Sequence, residues 1–375
     1  MALTRIANIA STIPDDSIAN VKMANIVQSK NIIINGDMSI SQRATSTASV
    51  TGTGYHACDR FKNVISGLGT WTASQSTDVP TGQGFANSFK MDCTTADASP
   101  AAGDYNSLAQ IFEGQNLQYL KKGTSDAESL TLSFWVYATK TGTNICELYD
   151  ADNARQISKS YTISSANTWE KKTITFPGDT TGAFTNDNAE SLQLHFFLGA
   201  GSDRTSGTLS TTWSSFTAAD RAVGQVNHAD STSNEWYITG VQLEAGSVAT
   251  DFEFLPADVN LRRCQRYFYK LIDVPGGDGN GYFTTAYMYN GTIMYANIEF
   301  PTIMRSSPTL SQASGTDYYT FYRNGAADSF SDFELAIGRP NLVSIRNDDE
   351  MSGTGGHAGG IHSTSNSKVT FDAEL

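Results

Sequence analysis

The chain is poor in charge and in the residues that build helices. Of its 375 residues only 17% are charged, and Lys and Arg number 25 against 38 Asp and Glu. Helical bundles and coiled coils draw heavily on Ala, Glu, Lys, Leu and Arg, so both are excluded. The net charge of −13 repels phosphate backbones and leaves few of the cationic contacts that dominate nucleic-acid affinity, which excludes nucleic acid as a partner. No run reaches the ~20 apolar residues needed to cross a bilayer, so no membrane insertion is expected. The opening MALTRIANIASTIPDD lacks the apolar core of a secretory signal, so export by that route is not expected either. The four cysteines, Cys58, Cys93, Cys146 and Cys264, stand 35, 53 and 118 residues apart. That spacing offers neither a C-x-x-C pair nor a disulfide framework, and the thiols are expected to be reduced and mostly buried.

What is present is Ser and Thr, 82 residues together, with 32 Gly and an aromatic content of 11% spread along the chain. Aromatics at that density support sizeable cores and exclude disorder, and the length suits two or three folded units. Residues 1–30 contain no Phe, Tyr or Trp and carry a near-repeat, Ile6-Ala7-Asn8, Ile18-Ala19-Asn20 and Met23-Ala24-Asn25. Ile18, Val21, Met23, Ile26 and Val27 cannot be buried against such a segment itself. It is expected to be an arm docking on copies of itself or on a partner, the alternative being a frayed terminus.

From Asn31 to Pro256 the pattern is of strands. Leu130 to Ala138 alternates with period two, as do Thr173 to Phe176, Leu192 to Phe196 and Trp236 to Leu243, with Gly-rich turns between them. Two helical interruptions are expected, over 105–120 and over 216–223 with Ser214 or Ser215 as cap. Residues 257–270 read as a polar-to-basic linker. Residues 271–375 again read as strands, notably 282–289, 292–300, 318–323 and 368–371, with Asn-Gly and Asp-Gly steps suited to hairpins and a Gly/His-rich loop over 351–367. The expected class is all-β: an arm at 1–30, a β-sandwich or barrel at 31–256, the linker, and a smaller β domain at 271–375.

Three stretches resemble bacteriophage tail-fibre and related virion proteins. They are Asn31-Ile-Ile-Ile-Asn35-Gly36-Asp37-Met38 with Ser41-Gln42-Arg43 and Tyr55 to Phe61; Gly240-Val-Gln-Leu-Glu-Ala-Gly246 running on through Asp251-Phe252-Glu253 to Leu261 and Phe268; and Phe300-Pro301 to Pro308-Thr309. The resemblance covers about residues 31 to 310, and the Gly-Val-Gln-Leu-Glu-Ala-Gly string is its most specific part. It implies a jelly-roll sandwich akin to non-catalytic carbohydrate-binding modules, on a homotrimeric virion protein whose N-terminal arm attaches to the tail or capsid. Many such modules hold calcium with an acidic pair in the last strand. The corresponding positions here are Thr239 and Gly240, which argues against that ion.

No G-x-S-x-G, H-E-x-x-H or P-loop string is present, so no catalytic residue is assigned and no cofactor is expected. Asp150, Asp152, Asp179, Asp187 and Asp203 fall in turn-like runs and read as backbone caps. Of the five histidines only His357 and His362 are near each other; they are the metal candidates, weighed against a solvated loop. Sugars offer C–H faces and hydroxyls, so aromatic platforms are sought. Trp135 and Tyr137 point away from the Leu132, Phe134 and Val136 face, unless residues 105–120 or a neighbouring subunit cover them. Trp71 and Trp213 are further candidates, and Tyr318, Tyr319 and Tyr322 are candidates for recognition at the far end of the C-terminal domain. The resulting expectation is a homotrimeric tail fibre in the virion, made in the host cytoplasm, adhering to a host surface glycan or receptor. A head-decoration or capsid fibre, and a surface-polysaccharide hydrolase, are the alternatives.

Overall fold

The computed structural model describes residues 30–274, 281–313, 315–363 and 367–375. Among the described residues twelve strands precede Pro256: β1 (Ser46–Val50), β2 (Lys62–Ser66), β3 (Thr70–Ser76), β4 (Ser88–Thr95), β5 (Tyr105–Glu113), β6 (Leu130–Ala138), β7 (Gly142–Asp150), β8 (Arg155–Ile163), β9 (Glu170–Phe176), β10 (Glu190–Ala200), β11 (Ser214–Ser215) and β12 (Glu235–Ala245). They form two antiparallel six-stranded sheets, ordered β1-β3-β4-β12-β6-β9 and β11-β8-β7-β10-β5-β2. Alternation fixes which way each strand faces. In β6, Leu132, Phe134 and Val136 are fully buried, while Trp135 and Tyr137 are half-buried on the other side. Phe134 meets Tyr161 and Phe196 of the opposite sheet edge-on, each at 5.0 Å between ring centroids, so the two inner faces share one core and make a β-sandwich.

Two expected helices are replaced by extended chain. Residues 105–113 form β5, hydrogen-bonded between β10 and β2. Leu108, Ile111 and Phe112 have helical spacing, but β5 is buried on both faces, and such a strand loses its polar alternation. Residues 114–120 complete the stretch as two short 3₁₀ turns. Over 216–223 there is one 3₁₀ turn, Ala218–Asp220. Ser214 and Ser215 pair with β8 instead of capping it. These residues belong to a strap, 201–228, that opens with a single helical turn, α1 (Ser202–Thr205), and crosses the outer face of the second sheet.

Residues 257–265, expected within a linker, form helix α2 (Ala257–Gln265) with Asn260 and Cys264 buried. Asn260 Nδ2 donates to Asp37 Oδ1 and Ser39 Oγ at 3.1 and 3.0 Å, which packs the helix on the sandwich. The remaining strands are β13 (Phe268–Asp273), β14 (Gly281–Met288), β15 (Met294–Glu299), β16 (Thr309–Ala313), β17 (Tyr319–Arg323), β18 (Ala326–Phe330), β19 (Glu334–Gly338), β20 (Leu342–Asn347), β21 (Ala358–Ser363) and β22 (Lys368–Asp372). They form a three-stranded sheet, β13-β22-β16, and a seven-stranded one, β18-β17-β21-β14-β15-β20-β19, around a separate core that includes Phe321, Phe330, Ile345 and Phe371. Asn324 and Gly325 both take positive φ, 41° and 76°, between β17 and β18, as a tight hairpin turn requires. The expected loop over 351–367 contains a central strand, β21, whose Gly359 and Gly360 let its neighbours close in. A Cβ on Gly359 would lie 1.8 Å from the Tyr322 carbonyl oxygen.

Buried charge joins the two β bodies. Arg60 pairs with Glu374 while its guanidinium stacks on Tyr267 at 3.4 Å. Arg43 reaches Asp372 and Glu374 at 2.9 and 3.3 Å. Glu113, at the end of β5, takes hydrogen bonds from Arg266 at 2.7 and 2.6 Å and from the Tyr267 hydroxyl. Burial pushes the Glu113 carboxyl up, but the bonds from Arg266, Tyr267 and Gln115 outweigh it and hold the group below the usual carboxylate range.

Candidate functional site

Of the sandwich's two outer faces, one is roofed by its own chain. Over the second sheet, Arg221 of the strap makes a bidentate pair with the fully buried Glu147 of β7, and Ala222 packs on Ile145 and Phe197. Burial raises the Glu147 carboxyl, with Arg221 opposing. His195 is also enclosed there, its Nδ1 3.0 Å from Ser107 Oγ, and burial, reinforced by Arg221, holds it well below its ordinary value.

The outer face of the first sheet carries a row of side chains set by register. Tyr137 of β6 lies directly opposite Tyr237 of β12, Tyr237 opposite Lys90 of β4, and Trp169 stands one residue before β9, beyond the Val136 and Glu170 pair. The three rings form a cluster, with centroids 5.0 Å apart for Tyr137 and Tyr237, 5.7 Å for Tyr137 and Trp169, and 6.2 Å for Trp169 and Tyr237. Each is steered by a hydrogen bond at its edge. Tyr137 donates to Asn167 Oδ1 at 3.2 Å, Trp169 Nε1 to Asp78 Oδ1 at 3.0 Å, and Tyr237 to Glu235 Oε2 at 2.8 Å, while Lys90 Nζ holds the other Glu235 oxygen at 2.7 Å. Burial and then the bond to Glu235 push the Tyr237 hydroxyl up to about 12. Burial also raises Glu235, but Lys90 and Tyr237 prevail and hold it low. At neutral pH the cluster is therefore three uncharged rings, half-buried Tyr137 and Trp169 beside Tyr237, which is only 5% exposed, rimmed by an amide, an ammonium and carboxylates. Farther along the face, Phe85 covers Gly240 and clusters with Phe252 and Phe254.

Trp135 and Tyr137 thus lie on the outer face, and residues 105–113, as a strand of the other sheet, do not cover them. Trp135 occupies the next rung, between Thr239 and Lys171. Trp71 is a correction: it is 0% exposed, and its indole N–H donates to the Leu68 carbonyl at 2.7 Å, so it belongs to the core. Trp213 is a half-buried wedge whose N–H donates to Pro177 O at 2.8 Å, away from the row. Tyr319 is also corrected. It is 0% exposed among Phe330 and Phe333, because its strand turns that side inward. Tyr318 is half-buried against the same core. Tyr322 is exposed, and its neighbours are Tyr282 and His362.

His357 and His362 are five positions apart along extended chain at β21. They point to opposite sides of the sheet and do not form a shared site. Among the described residues no group of three His, Cys, Asp or Glu could hold a metal. Thr239 donates its hydroxyl to Asn87 O and Gly240 lies beneath Phe85, so neither offers a carboxylate. Asp150 and Asp179 share the ammonium of Lys122 at 2.5 and 3.1 Å. Asp152 and Asp187 accept backbone N–H groups of Thr185 and Ala189, each at 2.9 Å, which occupies these carboxylates in holding the fold.

Trp169 and Tyr237 were missed from sequence. Tyr237 had a legible signal, since Trp236, Ile238 and the fully buried inner set of β12 leave it on the outer side. Trp169 had none, because its place depends on how β9 registers against β6.

No family model matches the sequence, and no curated protein matches it. Solved structures with a similar sandwich include the enzymatically active domain of tailspike protein 4 of bacteriophage CBA120, at 15% identity and TM-score 0.31 over 58% of this chain and 21% of that one. Others are a structure described as "CBM4 structure and function", at 14% identity and TM-score 0.30 over 58% and 99%, and the xylan-binding domain from CBM 22, at 13% identity and TM-score 0.28 over 53% and 98%. This chain spans about a fifth of the tailspike chain's length, and at these identities the likeness is one of fold.

Proposed function

We propose that this protein is a non-catalytic carbohydrate-binding protein whose sandwich grips neutral glycans on the outer face of the β1-β3-β4-β12-β6-β9 sheet. The observation that carries the reading is the aromatic cluster on the outer sheet face: half-buried Tyr137 and Trp169 packed over buried Tyr237, each oriented by an edge hydrogen bond. Rings with polar rims suit a ligand that offers C–H faces beside hydroxyls. Carbohydrate binding is also what the names of two of the similar structures describe for those proteins.

The finer reading is a homotrimeric phage fibre that displays this face, with residues 1–30 as the attachment arm; all of these but Lys30 lie outside the described residues. Tail attachment with adhesion to a host surface glycan is preferred, and a capsid decoration is the alternative.

The test is affinity electrophoresis of the full chain through gels cast with hydroxyethylcellulose, xylan, laminarin or mannan. Retardation in at least one gel, weakened in W169A, is expected. Unchanged mobility in all four contradicts the reading, and release of reducing ends contradicts its non-catalytic part. Native mass measurement at micromolar concentration tests the trimer, and a monomer overturns it.

A further inference from the structure

The seven-stranded sheet of the C-terminal body has its own cluster of exposed rings. Tyr282 of β14 is the cross-strand partner of His362 on β21, and Tyr322 of β17 sits beside them, opposite Gly360. The ring centroids are 5.5 Å apart for Tyr282 and His362, 5.9 Å for Tyr322 and His362 and 6.0 Å for the two tyrosines, all edge-to-face. Tyr282 is 65% exposed and Tyr322 43%. Such exposure normally leaves a side chain free to sweep, but here the rings are seated. The Tyr282 ring lies on Gly360, where a Cβ would come within 2.4 Å of it, and each ring abuts the edge of another. A shallow groove beside Tyr322 is lined by Ala326, Ala327, Ala358 and Gly359 together with Arg323 and Asn324.

We propose that Tyr282, Tyr322 and His362 form a second sugar-contact site, which makes the chain a bivalent binder of neutral glycans. Tyr and His faces take the C–H surface of a pyranose, their hydroxyl and ring nitrogens reach its hydroxyls, and the floor of Ala and Gly lets the next residue of a polymer lie flat beside Tyr322. The net charge of −13 selects neutral over polyanionic chains. A protein partner fits the groove less well, because its small, flat floor has no pocket for an apolar anchor. The site is separate from the Tyr137 row, since it stands on a body with its own core, and the Arg60 and Glu374 junction holds the two bodies together. A polymer long enough to touch both gains by effective concentration, on the order of 10²-fold or more over a short oligosaccharide.

The inference rests on the carbohydrate-binding reading, and its test separates the two. The full chain, Y282A/Y322A and Y137A/W169A are compared in the same four polysaccharide gels, and hexasaccharides of the retarding polymer are titrated calorimetrically. The expected result is two hexasaccharides per chain, at least tenfold weaker polymer binding in either double variant, and none when both are combined. If Y282A/Y322A binds like the unaltered chain with one hexasaccharide per chain, the second site falls and the sandwich reading stands. If Y137A/W169A binds normally and Y282A/Y322A does not, the sandwich reading falls and bivalence with it. No binding by the unaltered chain sinks both. Should Y282A/Y322A fail to fold, tyrosine ring NMR of the unaltered chain decides: shifts at Tyr282 and Tyr322 on adding the hexasaccharide are expected, and their absence overturns the site.

Discussion

On one side of the sandwich Glu147 is sealed under residues 201–228 and neutralised by Arg221. On the other, Tyr137 and Trp169 are half-buried and pack against the buried ring of Tyr237, and the polar atoms of the three are bonded to Asn167, Asp78 and Glu235. Both faces carry aromatic and charged side chains, so composition does not tell them apart. The difference lies in what the polar groups hold: on the roofed side they fasten a strap to the sheet, and on the open side they fix the edges of packed, partly accessible rings. On the proposed reading the open-side arrangement serves a ligand, whereas polar atoms consumed by a strap serve stability.

The sharpest way to break this contrast is R221A. It leaves Glu147 buried without its partner, and loss of one member of a buried pair costs about 3–5 kcal/mol. Urea unfolding is expected to show that loss with glycan binding unchanged wherever the variant is folded. A loss below about 1 kcal/mol would mean the strap is not held by this pair.

The next effect is of pH. Burial, with Lys140 adding to it, lowers His228 to about 3, and His195 is lowered as well. Their unfolded values lie near 6.5. Between those limits the unfolded chain takes up protons the folded one refuses, so stability is whole above pH 6.5 and falls as the solution is acidified toward 3. Each histidine contributes about 1.4 kcal/mol per pH unit, and the raised Glu147 works in the opposite direction. Urea midpoints at pH 7, 6 and 5 should fall steadily, and a flat profile would contradict the enclosure of these rings.

The smallest stability effect belongs to the open side. K90M breaks a partly exposed pair with Glu235 and should cost under about 1 kcal/mol, yet it frees Glu235 and loosens Tyr237. Calorimetric titration should show weaker glycan binding with nearly unchanged unfolding, the reverse of R221A.

Much of the architecture was legible from alternation. The inner set of β6 and the Asn324-Gly325 hairpin follow from period two and from residues that tolerate positive φ. The strand β5 was not, because burial on both faces gave Leu108, Ile111 and Phe112 a helical spacing. Trp71 and Tyr319 looked like surface aromatics because their neighbours are Ser, Thr and Tyr, but pairing partners decide which way a strand residue faces. Trp135 and Tyr137 could be placed on an outer face from their parity. That they share it with Trp169 and Tyr237 depends on cross-strand register, which no local pattern encodes. The Gly359-Gly360 pair read as a loop for the same reason: its role is to let Tyr282 and the β17 backbone approach.

The five tryptophans offer the most direct measurement of the central claim. Indole N–H resonances of the full chain are followed by NMR while the hexasaccharide of the retarding polysaccharide is added. Trp71 and Trp236, both 0% exposed, and Trp213 at its Pro177 contact serve as internal controls. The predicted result is a saturable shift of Trp169, with a smaller one for Trp135 on the adjacent rung and none for the controls. A shift confined to Trp213, or no shift at Trp169 at saturating ligand, would contradict the placing of the glycan on the Tyr137, Trp169 and Tyr237 face.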